Sequence, residues 1–265
     1  MKSHIRTLLA GILLLVFLYS GWQLFRIYGD YRAAEEQYTA LEEYISPPAV
    51  SSRPDPAPTN TEPEEGAVEE DPLPSEEPLW PRVDFEALAE INPDIVGWLT
   101  IEGTAVNYPV VQGEDNDYYL NHRFDRKRSG AGCLFLDVKN GADFGDPNQI
   151  VYGHYRKDHT MFRELVNYKE QEFFDAHPTG WLVTPTAVYR LEFFSGYVSD
   201  VYGEAWKTEF SGSEYPQWLA SCREKSAFFS AVVPTAKERV LTLSTCSYEF
   251  DNARFVLHAV LIEQT

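Results

Sequence analysis

The sequence predicts a mostly β domain, closed into a barrel or packed as a sandwich, behind a transmembrane helix and a disordered linker. Three observations carry that prediction: an uncharged apolar stretch near the N-terminus, an acidic proline-rich stretch after it, and eight short β-like runs beyond residue 81 with few helical patterns among them. So few helices argue against an alternating β/α fold. The 265 residues include 22 Lys and Arg against 41 Asp and Glu, a formal net charge of -19. Such a chain repels phosphate backbones, and nucleic acid is not an expected partner. With 44% hydrophobic and 14% aromatic residues it can build a core, and it is neither wholly disordered nor collagen-like.

The elements follow in chain order. Thr7 to Phe25 runs 19 residues without a charge, between Arg6 and Arg26. As a helix rising 1.5 Å per residue it reaches about 28 Å, close to the ~30 Å hydrocarbon core of a bilayer. Lys2, Arg6 and the free amino terminus lie on the short leading side. The positive-inside rule puts that side in the cytoplasm and the rest outside. The run is longer than a signal-peptide core and no small-residue cleavage pattern follows it, so residues 1–29 are expected to be an uncleaved single-pass anchor in the cell membrane. Over residues 30–45, Tyr31, Ala34, Tyr38, Leu41 and Ile45 recur at helical spacing and read as a short juxtamembrane continuation of the anchor. Residues 46–81 hold ten of the 17 prolines, nine acidic residues and one basic residue, Arg53. That composition buries too little apolar surface to fold. Its prolines and like charges extend it, up to roughly 3.1 Å per residue, as a spacer that holds a domain away from the membrane.

Residues 82–265 are the expected folded domain, with 17 basic and 27 acidic residues. A short amphipathic helix opens it, with Phe85, Leu88, Ala89 and Ile91 on one side and Asn92-Pro93 as its stop. The β-like runs are 96–101, 106–111, 133–137, 149–154, 181–185, 188–198, 240–245 and 254–262, punctuated by Gly, Pro, Asn and Asp. Helical patterns interrupt only near 160–176 and 214–229.

Few residues can do chemistry. Cys246 ends one run and Arg254 begins the next across a seven-residue connection, short enough for neighbouring antiparallel strands. That places a thiol and a guanidinium at one end of a sheet. His154 ends another run, where Gly153 gives the backbone room to turn. A thiol nucleophile, an imidazole that exchanges protons and a fixed cationic donor are the parts that acyl transfer needs. Arg254 stays charged near neutral pH, so it fits oxyanion stabilisation and not base catalysis. By pattern alone, a Cys at a strand end is more often a buried small residue, and Gly-His more often a turn.

The stretch TLSTCSYEFDNARFVLHAVL in the last two runs resembles the active-site segment of sortases, T-L-x-T-C followed one loop later by Arg. IVYGHYRKDHTMF (150–162) resembles the sortase histidine segment in its class B form, as do EINPDIVGWLTIEGTAVNYPVVQ (90–112) and DNDYYLNHRFDRKRSGAGCLFLD (115–137). The resemblance covers nearly all of 82–265, in the order His, Cys, Arg, and the 92-residue interval from His154 to Cys246 leaves room for the helix that class B members carry before the cysteine strand. It implies a closed eight-stranded β-barrel and a cysteine transpeptidase of a Gram-positive cell surface. By that analogy Cys246 attacks the Thr carbonyl of a C-terminal sorting signal, of N-P-x-T-x type, and forms a thioester. His154 protonates the leaving amine and deprotonates the incoming one, and Arg254 binds the oxyanion or positions the peptide. The reaction runs through a thiolate–imidazolium form that needs no third carboxylate. The implied partners are sorting-signal-bearing surface proteins and an amine from a peptidoglycan precursor or a pilin lysine. Leu120, Ser244, Thr245 and the 214–229 helix would line the substrate groove. Tyr155 departs from the class B pattern, which often has Asn or His there. A hydrolytic membrane-anchored cysteine peptidase and a pilin-polymerising sortase are the alternative enzymes; an idle tethered binding module is the third class.

The remaining candidates have plainer readings. No cofactor and no metal is expected: Cys133, Cys222 and Cys246 form no CxxC pair, and His154 and His159 lack the HExxH acid. Cys133 reads as a core thiol and Cys222 as an inert helix thiol. His122, His159 and His177 are expected in solvent, His258 as a surface residue and Asp251 as a solvated loop carboxylate.

Overall fold

The computed structural model describes residues 2–46 and 80–264, residues 2–8 and Ala10 by backbone alone. The spacer expected over 46–81 therefore lies almost wholly outside the described residues. Helix α1 runs unbroken from Lys2 to Leu41. Its first half leaves Leu13, Leu14, Leu15 and Phe17 exposed, and among the described helices it alone is long and apolar enough to cross a membrane. Its second half is a different surface. Ala34, Tyr38 and Leu41, at i, i+4 and i+7, are buried against the folded domain. The stretch expected only to continue the apolar helix thus packs against the folded domain.

After a 3-10 turn at Glu42–Tyr44, Ile45 pairs with Val83 and Ser46 with Arg82 in a two-residue antiparallel ladder, and the Asp84 amide donates to the Tyr44 carbonyl at 2.9 Å. The chain leaves the domain at Ser46 and returns beside the same point at Arg82.

Helix α2, Phe85–Ile91, begins at Asp84, whose carboxylate caps the Ala87 amide at 3.0 Å, and ends at Asn92 as the sequence predicts. Eight strands follow: β1 Ile95–Thr100, β2 Asn107–Val111, β3 Leu134–Leu136, β4 Asn148–Tyr152, β5 Thr179–Val183, β6 Val188–Asp200, β7 Arg239–Cys246 and β8 Ala253–Glu263. Each coincides with one of the eight predicted runs. They close into a barrel in the order β8-β6-β5-β1-β2-β3-β4-β7. All neighbours are antiparallel except β2 with β3 and β4 with β7. The predicted helical stretch at 160–176 is a 3-10 segment, Arg163–Lys169, and helix α3, Gln171–Ala176; the one at 214–229 is helix α4, Glu214–Lys225.

The barrel interior and its outer face are built from alternate residues of the same strands. Leu241 and Leu243 of β7 and Phe255, Leu257 and Ala259 of β8 join the main core. The residues between them face outward. There Val240, Val256 and Val260 meet a second apolar cluster that includes Trp218, Leu219 and Cys222 of α4. A helix laid on the barrel wall buries strand positions that alternation alone would assign to solvent.

Candidate active site

The parallel pairing of β4 with β7 decides the site. Tyr152 of β4 lies across from Ser244 of β7, and the Gly153 amide donates to the Ser244 carbonyl at 3.0 Å. His154 and Cys246 each lie two residues beyond that pair, and both line one cleft. Across the next, antiparallel pair, Arg254 is the direct partner of Cys246. Directly opposed residues have Cβ atoms roughly 4.5–5.5 Å apart. Three segments distant in sequence thus deliver imidazole, thiol and guanidinium to one end of the barrel, where all three border a cleft of about 620 Å³.

Each group has a local reason for its orientation. Gly153 precedes His154 because space is lacking: a Cβ there would come within 2.5 Å of Leu134 Cδ2 and of Phe162 Cδ2. Close approach, and not the turn expected from sequence, demands the glycine. The His154 imidazole donates Nε2–H to the Leu120 carbonyl at 2.7 Å. That leaves Nδ1 as the nitrogen able to take up a proton. Arg254 donates to the Ala253 carbonyl at 3.0 Å and is half-buried. Cys246 is half-exposed, whereas Cys133 and Cys222 are buried. Burial pushes the Cys133 thiol up to about 12 and the Cys222 thiol up to about 11, so both stay protonated at neutral pH, as their inert readings require.

Leu120, Ser244 and Thr245 also border the cleft, Leu120 with its carbonyl engaged by His154. Ser244 accepts a hydrogen bond from the Trp206 indole at 3.2 Å, and Thr245 Oγ1 is buried without a partner among the described residues. Sequence reasoning missed Trp206, Tyr152 and Asp137, all at the cleft, the last two joined by a 2.7 Å hydrogen bond from the Tyr152 hydroxyl. Tyr152 sits two residues before His154 at the end of the same predicted run, a signal that could have found it. Trp206 lies in a 3-10 turn, Glu204–Trp206, where no periodicity marks it. Helix α4, expected along the groove, contributes no residue to this cleft; it lies on β6 and over the outward side chains of β8 instead. Tyr155 turns away from the cleft, edge-on to Tyr248 with ring centres 5.0 Å apart and beneath the Arg163 guanidinium at 4.1 Å.

His258 corrects the sequence reading. It is fully buried, with Phe194, Tyr197 and Trp218 rings around it, because the outer face of β8 is covered. Burial and, secondarily, Lys225 lower its pKa to about 3, so the ring is neutral. Thr242 Oγ1 lies 2.6 Å from Asn148 Oδ1 and 2.8 Å from His258 Nδ1. The hydroxyl proton goes to Asn148, so His258 donates through Nδ1–H. His159 and Asp251 are exposed as expected. His122 and His177 are half-buried and donate to the Tyr118 and Glu102 carbonyls, so neither is simply solvated.

Comparisons with known proteins identify the family. The sortase domain family matches residues 99–262. Sortase B of Listeria monocytogenes is 33% identical over 98% of this chain and 98% of its own. The chain belongs to the sortase family. Among solved structures, this sortase is similar to the Staphylococcus aureus sortase B–substrate complex, with 38% identity, a TM-score of 0.65, and coverage of 68% of this chain and 85% of that one. It is also similar to a sortase B complexed with triglycine, at 37% identity and a TM-score of 0.65, covering 68% and 86% of the two chains. It is a class B sortase, a cysteine transpeptidase on a closed eight-stranded barrel.

Proposed function

We propose that this sortase uses Cys246, His154 and Arg254 to cleave a sorting signal after Thr and to join the acyl group to an amine. The β4–β7 parallel register, which brings His154 to the end of the barrel where Cys246 faces Arg254, is the observation that carries the reading. The Cys246 sulfur adds to the Thr carbonyl, and the planar Arg254 guanidinium stabilises the oxyanion. As the intermediate collapses, the C–N bond breaks and His154 gives its proton to the departing amine, leaving a thioester. An incoming amine attacks the thioester, His154 takes its proton, and Cys246 leaves. The Nε2–H bond to Leu120 leaves Nδ1 to carry that proton both ways.

The substrate is a secreted surface protein with an N-P-x-T-x signal, and the acceptor is an amine of a cell wall precursor. A related sortase B in complex with substrate and another with triglycine support a peptide donor and a small amine acceptor. Residues 1–29 anchor the enzyme, with the N-terminus in the cytoplasm and residues 82–265 as the catalytic domain outside. The uncharged run and the exposed apolar first half of α1 support that placement.

The deciding experiment incubates the protein with N-P-x-T-x and L-P-x-T-G peptides and follows intact mass. A thioester on Cys246 that triglycine resolves to a ligated product is the expected result. A thioester that only water resolves would make the enzyme a peptidase. Cys246→Ala is expected to abolish turnover and keep the fold, since a methyl group replaces a small thiol.

A further inference from the structure

We propose that Tyr38, on the docked half of α1, is a positioning residue for His154, acting through Gly132. The inference rests on the catalytic role proposed for His154. The Tyr38 hydroxyl donates to the Gly132 carbonyl at 2.6 Å. Its ring is buried edge-on to Tyr108, with centres 5.2 Å apart. Gly132, at a φ of +64°, is the wall against which the imidazole lies: a Cβ there would stand 2.8 Å from His154 Cδ2 and 2.8 Å from the Tyr119 carbonyl oxygen. The next residue ties the same wall to the other side of the ring. The Cys133 amide donates to the Tyr119 carbonyl at 3.0 Å, and the neighbouring Leu120 carbonyl accepts from His154 Nε2–H.

The helix holds this stretch at more than one point. Asp30 accepts from the Gly130 amide at 2.9 Å, and Arg156, two residues after the histidine, donates to the Gly130 carbonyl at 3.0 Å while its guanidinium lies 4.5 Å from the centre of the Tyr31 ring. Contacts from three residues of α1 therefore converge on the segments that flank the imidazole, 130–132 and 156. Burial raises the Tyr38 phenol well above its usual range, so it remains a hydrogen-bond donor at every working pH. Loosening Gly132 frees the imidazole face and slackens the Leu120 bond that fixes which nitrogen exchanges protons. A misplacement of about 1 Å in such a group can cost up to roughly a hundredfold in rate.

The test uses the full chain in detergent, with Tyr38→Phe, which removes the hydroxyl and keeps the packed ring. N-P-x-T-x peptides and triglycine are the turnover probes, and the His154 Nε2–H signal in proton–nitrogen NMR is a probe that needs no substrate. The expected result is a kcat lowered about tenfold with a KM within about twofold of wild type, and faster solvent exchange of the His154 Nε2–H. Arg32→Ala, an exposed residue of the same helix, is expected to match wild type in both. A merely structural Tyr38 would lower the melting temperature and leave kcat and the His154 signal unchanged, and that outcome overturns the proposal. Full turnover in His154→Ala would instead remove the catalytic role on which it rests, a result separate from anything Tyr38→Phe reports.

Discussion

Gly153 shows how a single hydrogen atom can decide a site. With Leu134 and Phe162 each 2.5 Å from any added Cβ, Gly153→Ala must push apart β3, β4 and the His154 segment. Overpacking of this kind costs about 1–3 kcal/mol, and thermal melts are expected to show it together with a fall in kcat as His154 moves. His258 makes a second residue-scale prediction. Its folded-state pKa of about 3 lies below the ordinary 6.5, so between those values the unfolded chain binds a proton that the native chain refuses. The contribution of the neutral ring is present above pH 6.5 and is lost as pH falls toward 3. His258→Asn is expected to show a shallower drop in melting temperature between pH 7 and 4. A slope identical to wild type would place the acid sensitivity elsewhere. Glu249 acts lower still: burial opposes its charge, but hydrogen bonds from Lys169 and Ser247 outweigh it and hold the carboxyl at about 2. Its contribution is lost as pH falls from about 4.5 toward 2.

At the scale of elements, α4 and the docked half of α1 do what the strands cannot do alone. Trp218 of α4 closes the outer cluster, its indole donating to the Glu204 carbonyl at 2.8 Å. Truncating a buried tryptophan costs about 3–5 kcal/mol. Trp218→Ala is expected to lower stability by that order in denaturant titrations and to expose His258 to protonation. The strand runs were legible because each alternates or runs apolar between turn residues. The burial of His258 was not, because alternation along β8 shows only that it faces away from the interior. Whether a helix then lies on that face depends on residues some 40 positions upstream. Likewise the spacing of Ala34, Tyr38 and Leu41 announced a helix with one apolar side, while the identity of the surface it meets depended on Gly132 and Tyr108.

Across the whole molecule, the three thiols divide by burial. Iodoacetamide is expected to add one label to the native protein, on Cys246, and three after denaturation, counted by intact mass. Two labels in the native state would contradict the buried environments of Cys133 and Cys222. What the sequence by itself determined was the apolar helix, the acidic composition of residues 46–81, the eight strands, and three chemistry-bearing residues at strand ends, because hydrophobic periodicity and turn residues act over a few positions. Even the proximity of Cys246 to Arg254 was local, set by a short hairpin. Only the tertiary structure decided that β4 lies parallel to β7, that His154 thereby joins the hairpin, that Trp206 and Tyr152 reach the cleft, and that the chain returns at Arg82 to the place it left at Ser46. Those features depend on which distant surfaces exclude water together, and pairing across some 90 residues leaves no mark in either strand alone.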